Sequence, residues 1–305
     1  MSTTPFRVGE RAIQSRLAVR HHVEPIGARV IRDHMPAQHR ALYGQLPILL
    51  IGALDDAGSA WASPVFGKPG FIASPDPRTL CIAASPLPGD PLESSFTGDR
   101  AVGVLGIELH SRRRVRLSGH AARAAYGLRV TVKQAFGNCP KYIRPRKFEW
   151  MGSTNPRLQP VGSLKGSAKA LVDRTDTFFI ATHYAAPEGE PGSGGDISHR
   201  GGPPGFVRVE SQASLVFPDY PGNHFFNTLG NIACDPRTGL LFPDFTCGDL
   251  LYLTGTSEII WADDPKARPS YPAQRYVRFS LSHGWLLGGA MPMRWSSLTE
   301  TPGRP

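Results

Sequence analysis

The feature that most constrains this chain is that its second half replays its first, segment by segment and in the same order. Residues 46–52, an apolar run, answer to residues 176–182. Residues 61–72 answer to 197–207, both stretches carrying a serine, a glycine and then Pro-Gly-Phe (Pro69-Gly70-Phe71 and Pro204-Gly205-Phe206). Further on, 79–82 matches 214–217, 102–106 matches 238–242, and 113–120 matches 248–255. Ordered matches of this kind are the signature of an internal duplication. Whatever one half folds into, the other is expected to fold into as well, with residues about 40–125 and 175–262 forming units of like topology.

The unit itself reads as β structure. Residues 48–54 and 59–66 are apolar runs on either side of Asp55-Asp56-Ala57-Gly58, the pattern of a hairpin. Residues 79–83, 101–108 and 113–122 read as further strands, residues 90–96 as a short helix, and residues 130–136 fit strand or helix equally. Two helices precede the strands: one over 9–17, from the spacing of Ile13 and Leu17, and one from Asp33 through Pro36 to Leu46, ending before Pro47. Short strands joined by Gly/Pro turns point to a barrel or sandwich. With 305 residues, 40% of them hydrophobic, the chain has room for two cores. The expected division is residues 1–150 (N-terminal helices plus first barrel), a Gly/Ser/Pro-rich linker at 151–167, and a second barrel at 168–305.

Composition excludes several functions. No apolar run approaches about 18 residues and residues 1–10 lack a secretory pattern, so a cytoplasmic protein without membrane association is expected. The four cysteines are scattered and the histidines lack ligand spacing, so neither disulfides nor a metal site is expected. There is no Ser-His-Asp order, carboxylate pair or phosphate loop. The net charge of +9 lies wholly in residues 1–150 and peaks at Ser111-Arg112-Arg113-Arg114-Val115-Arg116. Such a run suits a solvated face, a small phosphorylated ligand or nucleic acid. No aromatic-basic interleave or recognition helix accompanies it, so nucleic acid is not an expected partner. Strand alternation from Arg112 puts Arg112 and Arg114 on one face and Arg113 on the other.

In the second half, Asn223, Asn227 and Asn231 recur every fourth residue, as on one helix face. Asparagine is a poor interior helix former, so the pattern suits either hydrogen bonds to a ligand or a capping, solvent-facing stripe.

These strings, together with Gly137-Asn138-Cys139-Pro140-Lys141-Tyr142-Ile143 and the stretch Ser198-His199-Arg200-Gly201-Gly202-Pro203-Pro204-Gly205-Phe206-Val207, resemble the pyridoxamine 5′-phosphate oxidase-like superfamily, the FMN-binding split barrels, and within it the tandem predicted flavin-nucleotide-binding proteins. The resemblance implies a mainly β fold with short helices, two tandem split β-barrels of the FMN-binding type. Oxidases proper usually carry a lysine-bearing Ser-Arg-Lys stretch where this chain has Gly230-Asn231, so vitamin B6 chemistry is not carried over. What is carried over is FMN, with Ser198, Arg200, Gly201, Asn223, Phe226, Asn227, Thr228, Asn231 and Arg237 as cofactor-binding candidates. Trp61, Ser63, Arg112, Arg114, Cys139 and Tyr142 are candidates for the substrate side. The implied activity is FMN-dependent electron or hydride transfer to or from a small substrate, an anionic one included, with a reduced nicotinamide or deazaflavin as candidate donor. A non-catalytic flavin- or haem-binding carrier or sensor is the alternative, and a homodimer is left open.

Overall fold

A computed structural model describes residues 4–152, 154–186, 194–262 and 273–298. Three helices open the chain: α1 (Val8–Arg16), α2 (Arg20–Val30) and α3 (Ala37–Gln45). The first barrel follows as β1 (Ile48–Leu54), β2 (Ala60–Phe66), β3 (Ile72–Ala73), β4 (Thr79–Ile82), β5 (Arg100–Glu108), β6 (Arg113–Ala124) and β7 (Gly127–Asn138). Next come β8 (Arg146–Trp150), β9 (Arg157–Val161) and α4 (Gly166–Arg174). The second barrel comprises β10 (Thr177–Tyr184), β11 (Gly194–Gly201), β12 (Arg208–Ser211), β13 (Ser214–Pro218), helix α5 (Asn227–Cys234), β14 (Arg237–Pro243), β15 (Leu250–Trp261) and β16 (Arg275–Gly288). Strand β17 (Met293–Ser297) pairs with β8.

The fold is mainly β, and its two large antiparallel sheets share one strand order. It is β2-β1-β5-β6-β7-β4-β3 in the first and β11-β10-β14-β15-β16-β13-β12 in the second. The like topology expected of the two halves is therefore present, and each sheet extends beyond the expected limits, through β7 and β16. Each barrel has its own core. Phe178, Phe206, Phe217 and Phe242 cluster in the second, with ring centroids 4.9–5.8 Å from Phe178. In β1, Leu49, Leu50 and Ile51 are all fully buried, because one face lines the barrel and the other meets the second barrel. Burial on both faces explains a continuous apolar run where a surface strand would alternate.

The barrels meet backbone to backbone. A Cβ added at Gly103 would lie 2.5 Å from Cα of Asp196, and one added at Gly239 would lie 2.6 Å from Cα of Trp61. These are matching contacts. Gly103 pairs with Gly52 and Gly239 with Ala181, so the two glycines hold equivalent registers, as do Trp61 and Asp196 on β2 and β11. An approximate twofold axis thus relates the halves.

Three expectations are corrected. Residues 90–96 form consecutive turns, not a helix; Asp90 bonds the Leu92 N–H from its side chain, which holds the chain in a turn. The segment 151–167 is not a free linker, since β9 within it pairs along β16. Helix α2 went unforeseen because Pro25 and Gly27 within it argue locally against a helix. Residues 130–136 lie in strand β7. Among the described residues no helix is long and apolar enough to cross a membrane.

Candidate functional site

Where β11, β6 and the start of α5 converge, the chain encloses a cleft of about 820 Å³ including its mouth. Its inner wall carries Arg114 and Arg116 from the first barrel with Ser198, His199 and Arg200 from the second. Along β6, alternation puts Arg114 and Arg116 on the same face, and Val115 between them points into the core.

Arg116 is buried and ion-paired with Asp196, which also accepts a bond from Thr228 Oγ1 at 3.4 Å. Thr228 Oγ1 in turn lies 3.0 Å from Ser198 Oγ. Arg200 donates to Asp219 at 2.8 Å, but Asp219 also receives the fully buried Arg275 at 3.1 Å. Arg114 donates from Nε to the Cys139 carbonyl at 2.8 Å, a neutral partner. Cations in the cleft therefore outweigh the carboxylates that face them. Burial first, then the charges of Arg114 and Arg200, bring the Arg116 guanidinium down to about 9, still charged at neutral pH. Burial likewise lowers Arg114.

His199 is buried, and burial together with Arg114, Arg200 and Arg146 holds its imidazole well below the usual range. It is neutral at pH 7. Arg114 Nη1, which can only donate, lies 3.3 Å from His199 Nδ1, so the ring proton sits on Nε2. His199 Nε2 and Arg200 Nε are both buried without a hydrogen-bond partner among the described residues. Such orphans are costly unless a ligand or water meets them.

Helix α5 supplies the remaining wall. Asn227, Thr228 and Leu229, its first turn, line the cleft, so backbone N–H groups that have no partner within the helix lie at its edge. The mouth is aromatic. Tyr142 stacks on Tyr220 (centroids 5.2 Å, interplanar angle 23°), and His224 stacks on Phe226 (5.8 Å, 9°). Five described non-glycine residues have positive φ, and of these Tyr142 (66°), His224 (62°) and Phe226 (60°) line the cleft. Strain of that kind, about 1–3 kcal/mol per residue, concentrates at functional sites.

The structure brings together Ser198, Arg200, Gly201, Asn223, Phe226, Asn227, Thr228, Arg114, Cys139 and Tyr142 around this cleft. Other candidates stand apart. Asn223 precedes α5, so the three asparagines do not share a helix face; Phe226, in the left-handed conformation, starts the helix after it. Asn231 is buried, donating to Thr182 and accepting from Arg7. Arg237 is paired with Asp235 outside the cleft. Trp61 is wholly buried with its indole N–H on Asp55, and Ser63 donates to Asp90. Arg112 is not on the strand: it occupies the preceding turn with φ of 58°, which breaks the alternation that would pair it with Arg114. Arg113 pairs with Glu108. Arg116, His199, Asp196 and Asp219 were missed. Carrying the alternation forward from Arg114 instead of back would have found Arg116.

No family profile matches the chain, and no curated protein does. Among solved structures, a single-residue variant of HupZ from Group A Streptococcus is similar at 15% identity and a TM-score of 0.31, over 41% of this chain and 99% of that one. A Lactobacillus delbrueckii protein provisionally assigned as a pyridoxamine 5′-phosphate oxidase matches at 15% identity and a TM-score of 0.30, over 41% of this chain and 97% of that one. At these scores the likenesses carry no ligand or activity to this chain.

Proposed function

We propose that this chain binds FMN in the cleft between its barrels and acts as a flavin-dependent oxidoreductase on a small substrate. The observation that supports this most is the excess of cations: Arg114, Arg116 and Arg200 share one enclosed space with too few carboxylates to balance them. A phosphate dianion there relieves their mutual repulsion and meets the free Arg200 Nε and the first turn of α5. Arg200, Arg116, Ser198, Asn227 and Thr228 would hold that phosphate. The aromatic mouth of Tyr142, Tyr220 and Phe226 suits a flat ring system, and His199 Nε2 offers a hydrogen-bond donor whose neutrality is fixed by its surroundings. Bound flavin supplies hydride or electron transfer, while the protein supplies orientation and electrostatics. A reduced nicotinamide or deazaflavin is the proposed donor class. Because Arg114 and Arg116 belong to the first barrel, the site uses both halves of the chain, and the phosphate is not held by the second half alone.

The test is a titration of FMN followed by quenching of its fluorescence. Losing a charge-assisted hydrogen bond costs about 1.5–3 kcal/mol, or roughly 10- to 150-fold in affinity. Arg116→Ala and Arg200→Ala should each show a loss in that range. Unchanged affinity in both would remove the cofactor from this cleft. A haem spectrum in the purified protein would favour the carrier reading, and turnover with a reduced donor would favour the enzyme.

A further inference from the structure

Beside the cleft, and sharing Tyr142 with it, lies a second, shallower hollow of about 990 Å³ including its mouth. Its rim carries three exposed cations, Arg112 from the β5–β6 turn and Lys141 and Arg144 from the loop after β7. Arg144 is within 3.4 Å of Asp176, a carboxylate already engaged at 2.6 Å by Arg146. Neither Arg112 nor Lys141 has an ion-pair partner among the described residues. Gly202 and Pro203 close the far side.

Arg112 stands in the left-handed region at φ of 58°, where glycine or asparagine would sit without strain. Across the same rim Tyr142, also at positive φ, has its hydroxyl on the Pro221 carbonyl at 3.0 Å, so the wall between hollow and cleft is fastened to the second barrel.

We infer that this hollow is a second anion site, for the phosphate or diphosphate group of the reactant that exchanges electrons with the cofactor. Its anionic group rests on Arg112, Lys141 and Arg144 while its reacting end reaches past Tyr142 into the cleft. The assignment rests on the cleft being the cofactor site. It adds the chemical class of the second reactant: an organic phosphate whose charged group is separate from its reacting end.

The experiment is a calorimetric titration of inorganic pyrophosphate into the FMN-saturated full-length protein at low ionic strength. One site is expected, weakened at least tenfold in the double variant Arg112→Gly/Lys141→Gln. Glycine suits the φ at position 112, so the fold should hold, and FMN affinity should stay within twofold. No pyrophosphate binding, or equal binding by wild type and double variant, would overturn the assignment. Equal displacement by sulfate at matched ionic strength would also overturn it, revealing an unselective patch. Failure of the cofactor reading is separable. Should FMN not bind, the titration is repeated without it in Arg116→Ala, which weakens the inner site. Pyrophosphate binding that persists there and is lost on adding the double variant still places an anion in the hollow.

Discussion

Arg116 shows at the scale of one residue how the cleft is both costly and useful. Its guanidinium is buried beside two other arginines, and Asp196 is the carboxylate that pairs with it. Removing one partner of a buried pair costs about 3–5 kcal/mol, because the other charge is left uncompensated. Asp196→Asn should therefore lower the unfolding free energy by an amount in that range. It should also make stability more responsive to anions, since a ligand that binds the native state stabilises it by mass action. Melting curves in phosphate against chloride at equal ionic strength would show a larger gain for Asp196→Asn than for wild type. Equal gains would mean that Asp196, rather than a ligand, is the intended neighbour of Arg116.

At the scale of elements, the site depends on a helix that no motif marks as functional. Helix α1 crosses α5 so closely that a Cβ at Gly9 would lie 2.0 Å from the Gly230 carbonyl oxygen, and one at Gly230 would lie 2.5 Å from the Glu10 nitrogen. The approach lets the Glu10 carboxylate accept from Asn227 Nδ2 at 2.6 Å and from the Arg7 N–H at 2.9 Å. With its amide nitrogen held there, Asn227 turns Oδ1 to Arg116 Nη1, 3.4 Å away. Gly230→Ala should thus push α1 off α5, costing about 1–3 kcal/mol by overpacking, and should weaken FMN binding together with stability. Gly44→Ala, whose added Cβ meets nothing nearer than 3.8 Å, is the control and should leave FMN affinity unchanged. A loss of stability with no loss of affinity would confine α1 to a structural role. Elements with strong local patterning were legible in the sequence: the β1–β2 hairpin with its Asp-Asp-Ala-Gly turn, α1, and the strands matched between halves. Helix α2 and strand β9 were not, because Pro25 and the Gly/Ser/Pro content of 151–167 oppose them locally and tertiary packing overrides that preference. In the cleft, Ser198, Arg200, Asn227 and Thr228 were found because they sit in one continuous stretch or helix start. Arg116 and Asp219 were not, since their roles depend on which strands become neighbours. Asn231 was misread for the same reason, its partners Arg7 and Thr182 being remote in sequence.

Across the whole molecule, the approximate twofold axis creates two equivalent places, and only one is the cleft. By register Ser63 corresponds to Ser198, and Tyr252, opposite Leu241, to Arg116, opposite Leu105. In the first barrel's version the space is filled: Asp90 accepts from Ser63 Oγ and from the Tyr252 hydroxyl, each at 2.8 Å, and none of the three lines the cleft. The equivalent place is thus a buried polar link between the barrels, and the charge state of Asp90 gives their union a pH dependence. Burial raises the Asp90 carboxyl to about 7, against the bonds from Leu92, Ser63 and Tyr252 that favour its ionised form. In the unfolded chain it titrates near the ordinary value of 3.8. Between those two values the native state holds a proton that the unfolded state has released, so stability falls as pH rises through this window and levels off above about 7. The slope from this one group is at most about 1.4 kcal/mol per pH unit. Asp90→Asn keeps the shape and an acceptor oxygen for Ser63 and Tyr252 and has no charge to bury, while its amide nitrogen replaces the oxygen that accepts from the Leu92 N–H, a loss that does not change with pH. Denaturant unfolding of both proteins from pH 5 to pH 8 would test it: the stability of Asp90→Asn relative to wild type should rise steadily to about pH 7 and then stay constant, other titrating groups cancelling in the comparison. Parallel curves would show that Asp90 ionises in the folded protein as it does in the unfolded one, and that the link between the barrels does not depend on its proton.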